Sequence, residues 1–312
     1  MICFGPVPSR RLGKSLGINN IPSTKVCSYS CIYCQVGITK KFSITREQFY
    51  EPERIFKEVQ KHLKKLKEAD KPDYLTFVAN GEPTLDINLG NSIKRLKEFN
   101  IPIAVITNAS LLTNQKVRDD LNHADWVSIK IDANDEAIWK TINRPTIGLD
   151  FEKQVKSLLR FSSEYSGKLM TETMLVQGLN DNPAVLQKTA RLISQVNPSI
   201  AYISIPTRPP AFSQVKAPDE LVINEAYQIF SEKGQKVELL LGFEGTNAGY
   251  TGNAIEDIIN ICTVHPIRED TMLELLINDN ADSSILNSLI VGKYVRQVHY
   301  NSKYFYIRQF HV

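Results

Sequence analysis

Residues 74–107 read YLTFVANGEPTLDINLGNSIKRLKEFNIPIAVIT. Tyr74-Leu75-Thr76-Phe77-Val78-Ala79 is short and apolar, which predicts a buried strand. A helical pattern over about Leu89 to Phe99 follows, and Ile103–Thr107 reads as a second buried strand. Two such strands joined by a helix form a parallel pair. The same alternation runs along most of the chain. Strands are expected at Ser15–Ile18, Trp126–Ile131, Leu169–Val176, Ala201–Ile205 and Val237–Leu241. Helical patterns lie near 113–121, 150–162, 183–196 and 218–233, and an earlier helix opens at Glu51-Pro52-Glu53 with Ile55, Phe56, Val59, Leu63 and Leu66 on one face. Six or seven β-then-α units predict an α/β fold, an incomplete (β/α)6 TIM-type barrel of parallel strands. On periodicity alone a doubly wound sheet is the rival.

The last fifty-odd residues change style. Short helices fit Ile255–Ile261, Asp270–Ile277 and Asp282–Ile290, ahead of two β-rich runs, Tyr294–Tyr300 and Tyr304–Phe310, around Asn301-Ser302-Lys303. Helices followed by one hairpin describe a small winged-helix domain. The expected division is therefore a partial barrel over 1–250 and a winged-helix-like domain over 251–312. The glycine-rich stretch Gly242–Gly249 reads as a linker or a substrate-side loop.

With 42% hydrophobic and 23% charged residues in 312, the chain is neither mainly disordered nor rich enough in long apolar runs for a membrane span. Met1–Pro6 lacks the charged start and apolar core of a secretory signal, so a cytoplasmic setting with reduced thiols is expected. The net charge of +3 hides an asymmetry. Arg10, Arg11, Lys14, Lys25, Lys40, Lys41 and Arg46 fall within residues 1–46, which hold no Asp or Glu.

This basic segment brackets Cys27-x3-Cys31-x2-Cys34, three of the five cysteines. Three thiolates so close together suit a loop wrapped around an iron–sulfur cube. Three cysteines leave one of four irons without a protein ligand, and an open iron can bind a substrate directly. A zinc site with a distant fourth ligand, such as Cys3, Cys262 or a histidine, is the alternative reading.

The stretch Cys27-Ser28-Tyr29-Ser30-Cys31-Ile32-Tyr33-Cys34 resembles the signature of the radical S-adenosylmethionine enzymes. The likeness extends over roughly residues 1–240. It implies a [4Fe–4S] cluster on Cys27, Cys31 and Cys34 and S-adenosylmethionine as cosubstrate, chelated to the open iron through its amino and carboxylate groups. One electron then yields methionine and a 5′-deoxyadenosyl radical. The same resemblance implies an electron donor of the flavodoxin or ferredoxin type and places Tyr33 near the adenine.

Asn80-Gly81-Glu82-Pro83 is similar to the glycine-glycine-glutamate-proline turn of that superfamily, with Asn80 in place of the first glycine. Gly81 would allow close backbone approach, and Glu82 would accept from the cosubstrate's ammonium. Thr107-Asn108-Ala109 resembles a Thr-Asn-Gly tip, making Asn108 a candidate contact. In Val127-Ser128-Ile129-Lys130-Ile131-Asp132, period two puts Ser128, Lys130 and Asp132 on one face. By the resemblance these contact the ribose hydroxyls and the methionine carboxylate. A purely structural pairing of Lys130, with Asp132 or Glu172, is the lesser alternative. Gln177 and Arg208, at later strand ends, are candidate substrate contacts, whereas Glu172 and Met174 fit either pocket or interior packing.

The head Phe4–Ile18 resembles a radical S-adenosylmethionine group often placed with the wyosine-base-forming tRNA enzyme. That branch carries a second cysteine trio, and Cys3 and Cys262 cannot supply one, which argues against wyosine synthesis. Arg10, Arg11 and Lys14 are expected to hold an anionic substrate: a nucleotide or tRNA, a cofactor precursor or a peptide. The C-terminal module could read nucleic acid, yet residues 256–312 hold five basic and seven acidic residues, and Asp282–Ile290 has no Lys or Arg. Peptide docking or capping of the barrel are its other roles. The functional alternative is a metal-sensing nucleic-acid-binding regulator with a non-catalytic cluster or zinc.

Overall fold

The computed structural model describes residues 2–22, 24–242, 245–246 and 248–309. The chain begins with β1 (Cys3–Ser9), which turns back antiparallel onto β2 (Gly13–Ile18). A long loop follows with two short paired strands, β3 (Val26–Cys27) and β4 (Lys41–Phe42). Then come α1 (Pro52–Leu63), β5 (Tyr74–Phe77), α2 (Leu89–Leu96), β6 (Ile103–Thr107), α3 (Gln115–Leu121) and β7 (Trp126–Lys130). After α4 (Glu136–Asn143) and α5 (Phe151–Glu164) the series continues with β8 (Lys168–Met174), α6 (Pro183–Val196), β9 (Ile200–Ser204), α7 (Glu220–Ser231) and β10 (Val237–Leu240).

Eight strands make one sheet in the order β1-β2-β5-β6-β7-β8-β9-β10, with every pair from β2 onward parallel. Parallel strands in chain order curl one way into a half-barrel. A doubly wound sheet reverses its order at a switch point, so that rival is removed. Helices start where short polar side chains cap them: Asp135, Asp150, Asn182 and Asp219 each accept from a backbone N–H of the first turn. Their apolar faces cover the outer side of the sheet, where Leu16, Ile18, Phe77, Val105, Val127, Ile129 and Ile203 share a core with Ile93, Phe161, Ile193 and Phe230.

Besides the two-residue strands β3 and β4 and one more in the C-terminal unit, the sequence did not lead one to expect β1 or α4. β1 contains Pro6 and Pro8, which fit an edge strand that donates to no further neighbour. α4 is only eight residues long, yet its Asn143 reaches the site described below.

The C-terminal unit runs α8 (Ala254–Val264), β11 (Ile267–Arg268), α9 (Glu269–Asn278), α10 (Ser283–Val291), β12 (Val295–Tyr300) and β13 (Lys303–Arg308), with antiparallel sheet order β11-β13-β12. Asn301 and Ser302, both at positive φ, form the hairpin turn. The expected strand end at Phe310, and Phe243, Glu244 and Asn247 of the glycine-rich stretch, lie outside the described residues. This unit packs on the barrel at Phe4, which belongs to the same buried cluster as Ile258, Ile261 and Leu289. A Cβ on Gly17 would stand 2.0 Å from the Phe4 ring, so only glycine leaves room for it. Among the described residues no helix is long and apolar enough to cross a membrane.

Candidate active site

The C-terminal ends of β2 and β5–β10 share one rim of the half-barrel, the place where such folds gather functional groups. On the lumen side Ala104, Trp126 and Met170 pack with Leu12 as an apolar floor. Above it Lys130, Glu172, Met174 and Ser204 open into a cavity of about 260 Å³, whose wall also carries Cys27, Cys31 and Cys34.

The cysteine loop is docked by its backbone. Val26 N–H donates to Asn80 O at 3.3 Å, and Glu82 N–H donates to Val26 O at 3.1 Å. Gly81 sits at φ 141°, and a Cβ there would stand 1.7 Å from Val26 O. The close approach that demands glycine is thus to the loop's own backbone. Asn80 avoids positive φ and donates its N–H to Asn19 Oδ1 at 2.8 Å, so the missing first glycine leaves no strain. Farther along, Ile32 N–H donates to Ile142 O in α4.

Each sulfur has a nitrogen neighbour. Asn108 Nδ2 lies 3.6 Å from Cys27 Sγ, Asn143 Nδ2 3.4 Å from Cys31 Sγ, and Lys25 Nζ 3.1 Å from Cys34 Sγ. Burial pushes the Cys27 and Cys31 thiols up to about 12. Burial acts the same way on Cys34, but the Lys25 charge and hydrogen bond outweigh it and bring that thiol below its ordinary value.

The donor set fits a cluster better than a lone ion. Among the described residues no three of His, Cys, Asp or Glu converge to hold one metal ion, whereas the thiolates of a cluster bind separate irons. The fourth zinc ligands that the sequence offered, Cys3, Cys262 or a histidine, are absent from the described cavity wall. Cys3 lies in the main core, Cys262 donates to Tyr306 O in the C-terminal core, and no described histidine lines the cavity.

The other expected contacts divide. Glu82 is 1% exposed and ties three segments together. Its Oε1 accepts from Thr84 N–H, Thr84 Oγ1 and Thr107 Oγ1, and its Oε2 accepts from Asn108 N–H at 2.8 Å. Burial raises its carboxyl and these donors oppose the rise. Asn108 also donates to Ser28 Oγ at 2.9 Å, stapling the β6 tip to the cysteine loop. Ala109, where the family tip has glycine, does adopt a left-handed φ of 61°.

Lys130 Nζ donates to Glu172 Oε1 at 2.6 Å and lies over the Tyr33 ring at 5.4 Å. Asp132 stands apart from that pair. Its carboxylate accepts from Tyr33 Oη at 2.5 Å, Asn143 Nδ2 at 2.6 Å and Met174 N–H at 2.9 Å. It does not line that cavity but stands beside it, in a smaller one of about 50 Å³ shared with Asn108, Lys130 and Asn143, where it positions Tyr33. Ser128 is an expected contact that the structure takes out of the cavity. It is 1% exposed, one layer below Lys130, and its hydroxyl has no hydrogen-bond partner among the described residues.

The basic head also separates. Arg11 reaches up the lumen to pair with Glu172 Oε2, and Arg10 lines the cavity while donating to Leu241 O. Lys14 points away, its ammonium donating to Ala69 O and its N–H to Asp73 Oδ2, because alternation puts Ser15, not Lys14, on the lumen side. Gln177 is exposed beyond the rim, whereas Arg208 lines the cavity and donates to Gln35 Oε1 at 3.2 Å. Glu172, left between pocket and packing by the sequence, is an ion-pair hub on the cavity wall. Sequence reasoning missed Lys25 and Asn143 as sulfur neighbours. The capping pattern Asp135-x2-Ile138-Trp139-x2-Ile142 was the available signal for α4.

A family model described as the radical SAM superfamily matches residues 21–193. The chain belongs to the radical SAM superfamily. A UPF0026 protein of Methanocaldococcus jannaschii is 45% identical over 98% of this chain and 96% of its own length. A UPF0026 protein of Helicobacter pylori (strain 26695) is 36% identical over 71% of each chain. Among solved structures, TYW1 with a lysine-pyruvate adduct bound superposes with a TM-score of 0.54 at 17% identity, covering 71% of this chain and 75% of that one. The likeness to TYW1 is one of fold and fits the curled parallel sheet of a radical SAM enzyme.

Proposed function

We propose that this radical SAM enzyme cleaves S-adenosylmethionine reductively at a [4Fe–4S] cluster held by Cys27, Cys31 and Cys34, and that the 5′-deoxyadenosyl radical takes hydrogen from an anionic substrate. Candidate substrate classes are a nucleotide or tRNA, a cofactor precursor or a peptide. One observation carries the reading. Three cysteines, each with a nitrogen donor beside its sulfur, stand on the wall of a cavity whose strand ends also supply Glu82, Asn108 and Lys130.

When bound, the cluster supplies the electron that splits the sulfonium, drawn from a donor of the flavodoxin or ferredoxin type. The chain's residues orient the parts. Lys25, Asn108 and Asn143 offset the thiolate charge. Glu82 fixes the Gly81 and Asn108 tips, and its Oε2, with one protein donor, is the oxygen left to receive an ammonium. Tyr33, set by Asp132, forms a flat wall suited to adenine. Lys130, already shared with Glu172, is the cation nearest a carboxylate site. Reduced thiols and an oxygen-sensitive group fit the cytoplasm.

The C-terminal order helix–strand–helix–helix–strand–strand supports a winged-helix-like module beginning near residue 251. With no Lys or Arg in α10, we assign it to closing the barrel and handling substrate rather than to reading a DNA groove.

Electron paramagnetic resonance of the reduced, reconstituted protein tests the reading. An open iron predicts that S-adenosylmethionine changes the cluster signal. An unchanged signal would count against it.

A further inference from the structure

We propose that the outer flank of the cysteine loop is the docking surface for a small acidic electron carrier of the flavodoxin type. The inference rests on the proposed function, whose electron this partner supplies, and adds where on the chain it binds.

The cysteine loop gives the sulfurs of Cys27, Cys31 and Cys34 to the cavity. Two segments flank it, 38–46 and 144–149, and no residue of either lines that cavity. From the first, Ser43 N–H donates to Cys27 O at 3.1 Å and Thr39 Oγ1 donates to Tyr29 O at 2.6 Å. From the second, Thr146 N–H donates to Ser28 O at 2.9 Å, and Arg144 O accepts from Ser30 N–H at 3.2 Å. The segments also meet each other, since a Cβ on Gly148 would stand 3.2 Å from Ile44 Cδ1.

Where solvent reaches these flanks they are apolar. Ile147 is 98% exposed, Ile38 and Phe42 about half, and Ile44 is exposed as well. Bulky apolar side chains gathered on a surface mark a contact with another molecule. The charge around them has one sign: Lys40, Lys41 and Arg144 are exposed, and neither segment holds an Asp or Glu. Lys41 is shared with Glu47, just past the first segment, and Arg46 turns inward to Asp120. Arg144 lies over the Phe212 ring at 4.2 Å and keeps its charge.

An apolar centre with a cationic rim fits a partner that carries an acidic rim around an apolar redox edge, as a protein-bound flavin presents. Cosubstrate and substrate need the cavity, so a carrier protein has to reach the cysteines from outside. The hydrogen bonds just named run from this surface to the backbone that bears the sulfurs. One electron leaves the reduced carrier and enters the cluster, and no atom or proton is exchanged.

Two measurements with purified flavodoxin test the surface. Calorimetric titration into the cluster-free full chain should give a Kd of about 0.1 mM or tighter at low salt, weakening as salt rises. Lys40→Glu with Ile147→Asp should raise that Kd about tenfold or more. In reconstituted protein the double variant should form 5′-deoxyadenosine about tenfold more slowly with reduced flavodoxin, yet within about twofold of wild type with dithionite. Lys233→Glu, a charge reversal beyond α7, should leave both measurements within about twofold of wild type. Binding or flavodoxin-driven rates unmoved by the double variant overturn the surface, as does a rate lowered equally under dithionite. So does an oligoribonucleotide that binds here in place of flavodoxin and is lost in the double variant. Wild type that yields no 5′-deoxyadenosine with dithionite counts against the proposed function, and the titration then decides the surface alone.

Discussion

Lys130 and Glu172 face each other in register on β7 and β8, with Nζ 2.6 Å from Oε1. Arg11 takes the other carboxylate oxygen. Burial by itself would push the Glu172 carboxyl up, but the Lys130 and Arg11 charges hold it at about 2. Two of the cations that the sequence offered for cosubstrate and substrate are therefore partly committed to one internal carboxylate.

The sign of the pH dependence follows. Glu172 is lower in the folded chain than in the unfolded one, near 4.3, so its stabilisation is present above about 4.3 and fades as pH falls toward 2. In cluster-free protein, wild type should exceed Glu172→Gln in unfolding free energy at pH 6, and the gap should narrow by about 2 kcal/mol by pH 3. Urea titrations at both pH values check it. A gap independent of pH would remove the ion-pair account.

Gly81→Ala should undock the cysteine loop, because the new Cβ meets Val26 O and φ 141° is closed to alanine. We expect a loss of about 2 kcal/mol or more and at most about half the wild-type iron after reconstitution. Thermal unfolding and iron analysis measure the two effects. Normal values for both would show the contact to be yielding.

Ala109→Gly should do the reverse. Alanine at φ 61° carries a left-handed cost of about 1–2 kcal/mol, and glycine's extra chain entropy takes back part of it. The midpoint of thermal unfolding should rise by about 1–2 °C. A fall would mean that the Ala109 methyl packs more strongly than its strain costs.

Lys25→Met removes the cation beside Cys34. The reconstituted cluster should become harder to reduce, its midpoint moving negative by tens of millivolts, on the order expected for one nearby charge. Spectroelectrochemical titration reads the shift, and an unmoved potential would place Lys25 outside the electrostatics of the site.

Repeating strand and helix periods made the sheet legible, because buried parallel strands are apolar runs that their neighbours do not alter. β1 was hidden because Pro6 and Pro8 argue against a strand until an edge position is known. Cys27, Cys31 and Cys34 were legible as a set because their spacing is local. Asn143 beside the Cys31 sulfur was not, since it comes from a helix more than a hundred residues later, and Lys25, though local, was legible only as one of several basic residues around the cysteines. Period two put Ser128 and Lys130 on one face of β7, but the strand ends at Lys130, so the alternation does not carry to Asp132. Nor could it tell depth: Ser128 falls below the cavity that Lys130 lines, and Asp132 bonds the Tyr33 hydroxyl. Lys14 failed for the complementary reason: charge clustering along the chain ignores the alternation that sends neighbours to opposite faces.

The most direct test of the account is product analysis. Anaerobically reconstituted protein, given dithionite and S-adenosylmethionine, should form 5′-deoxyadenosine and methionine in equal amounts, and Cys31→Ala should form neither above background. A fully iron-loaded preparation that yields no 5′-deoxyadenosine would contradict the central claim.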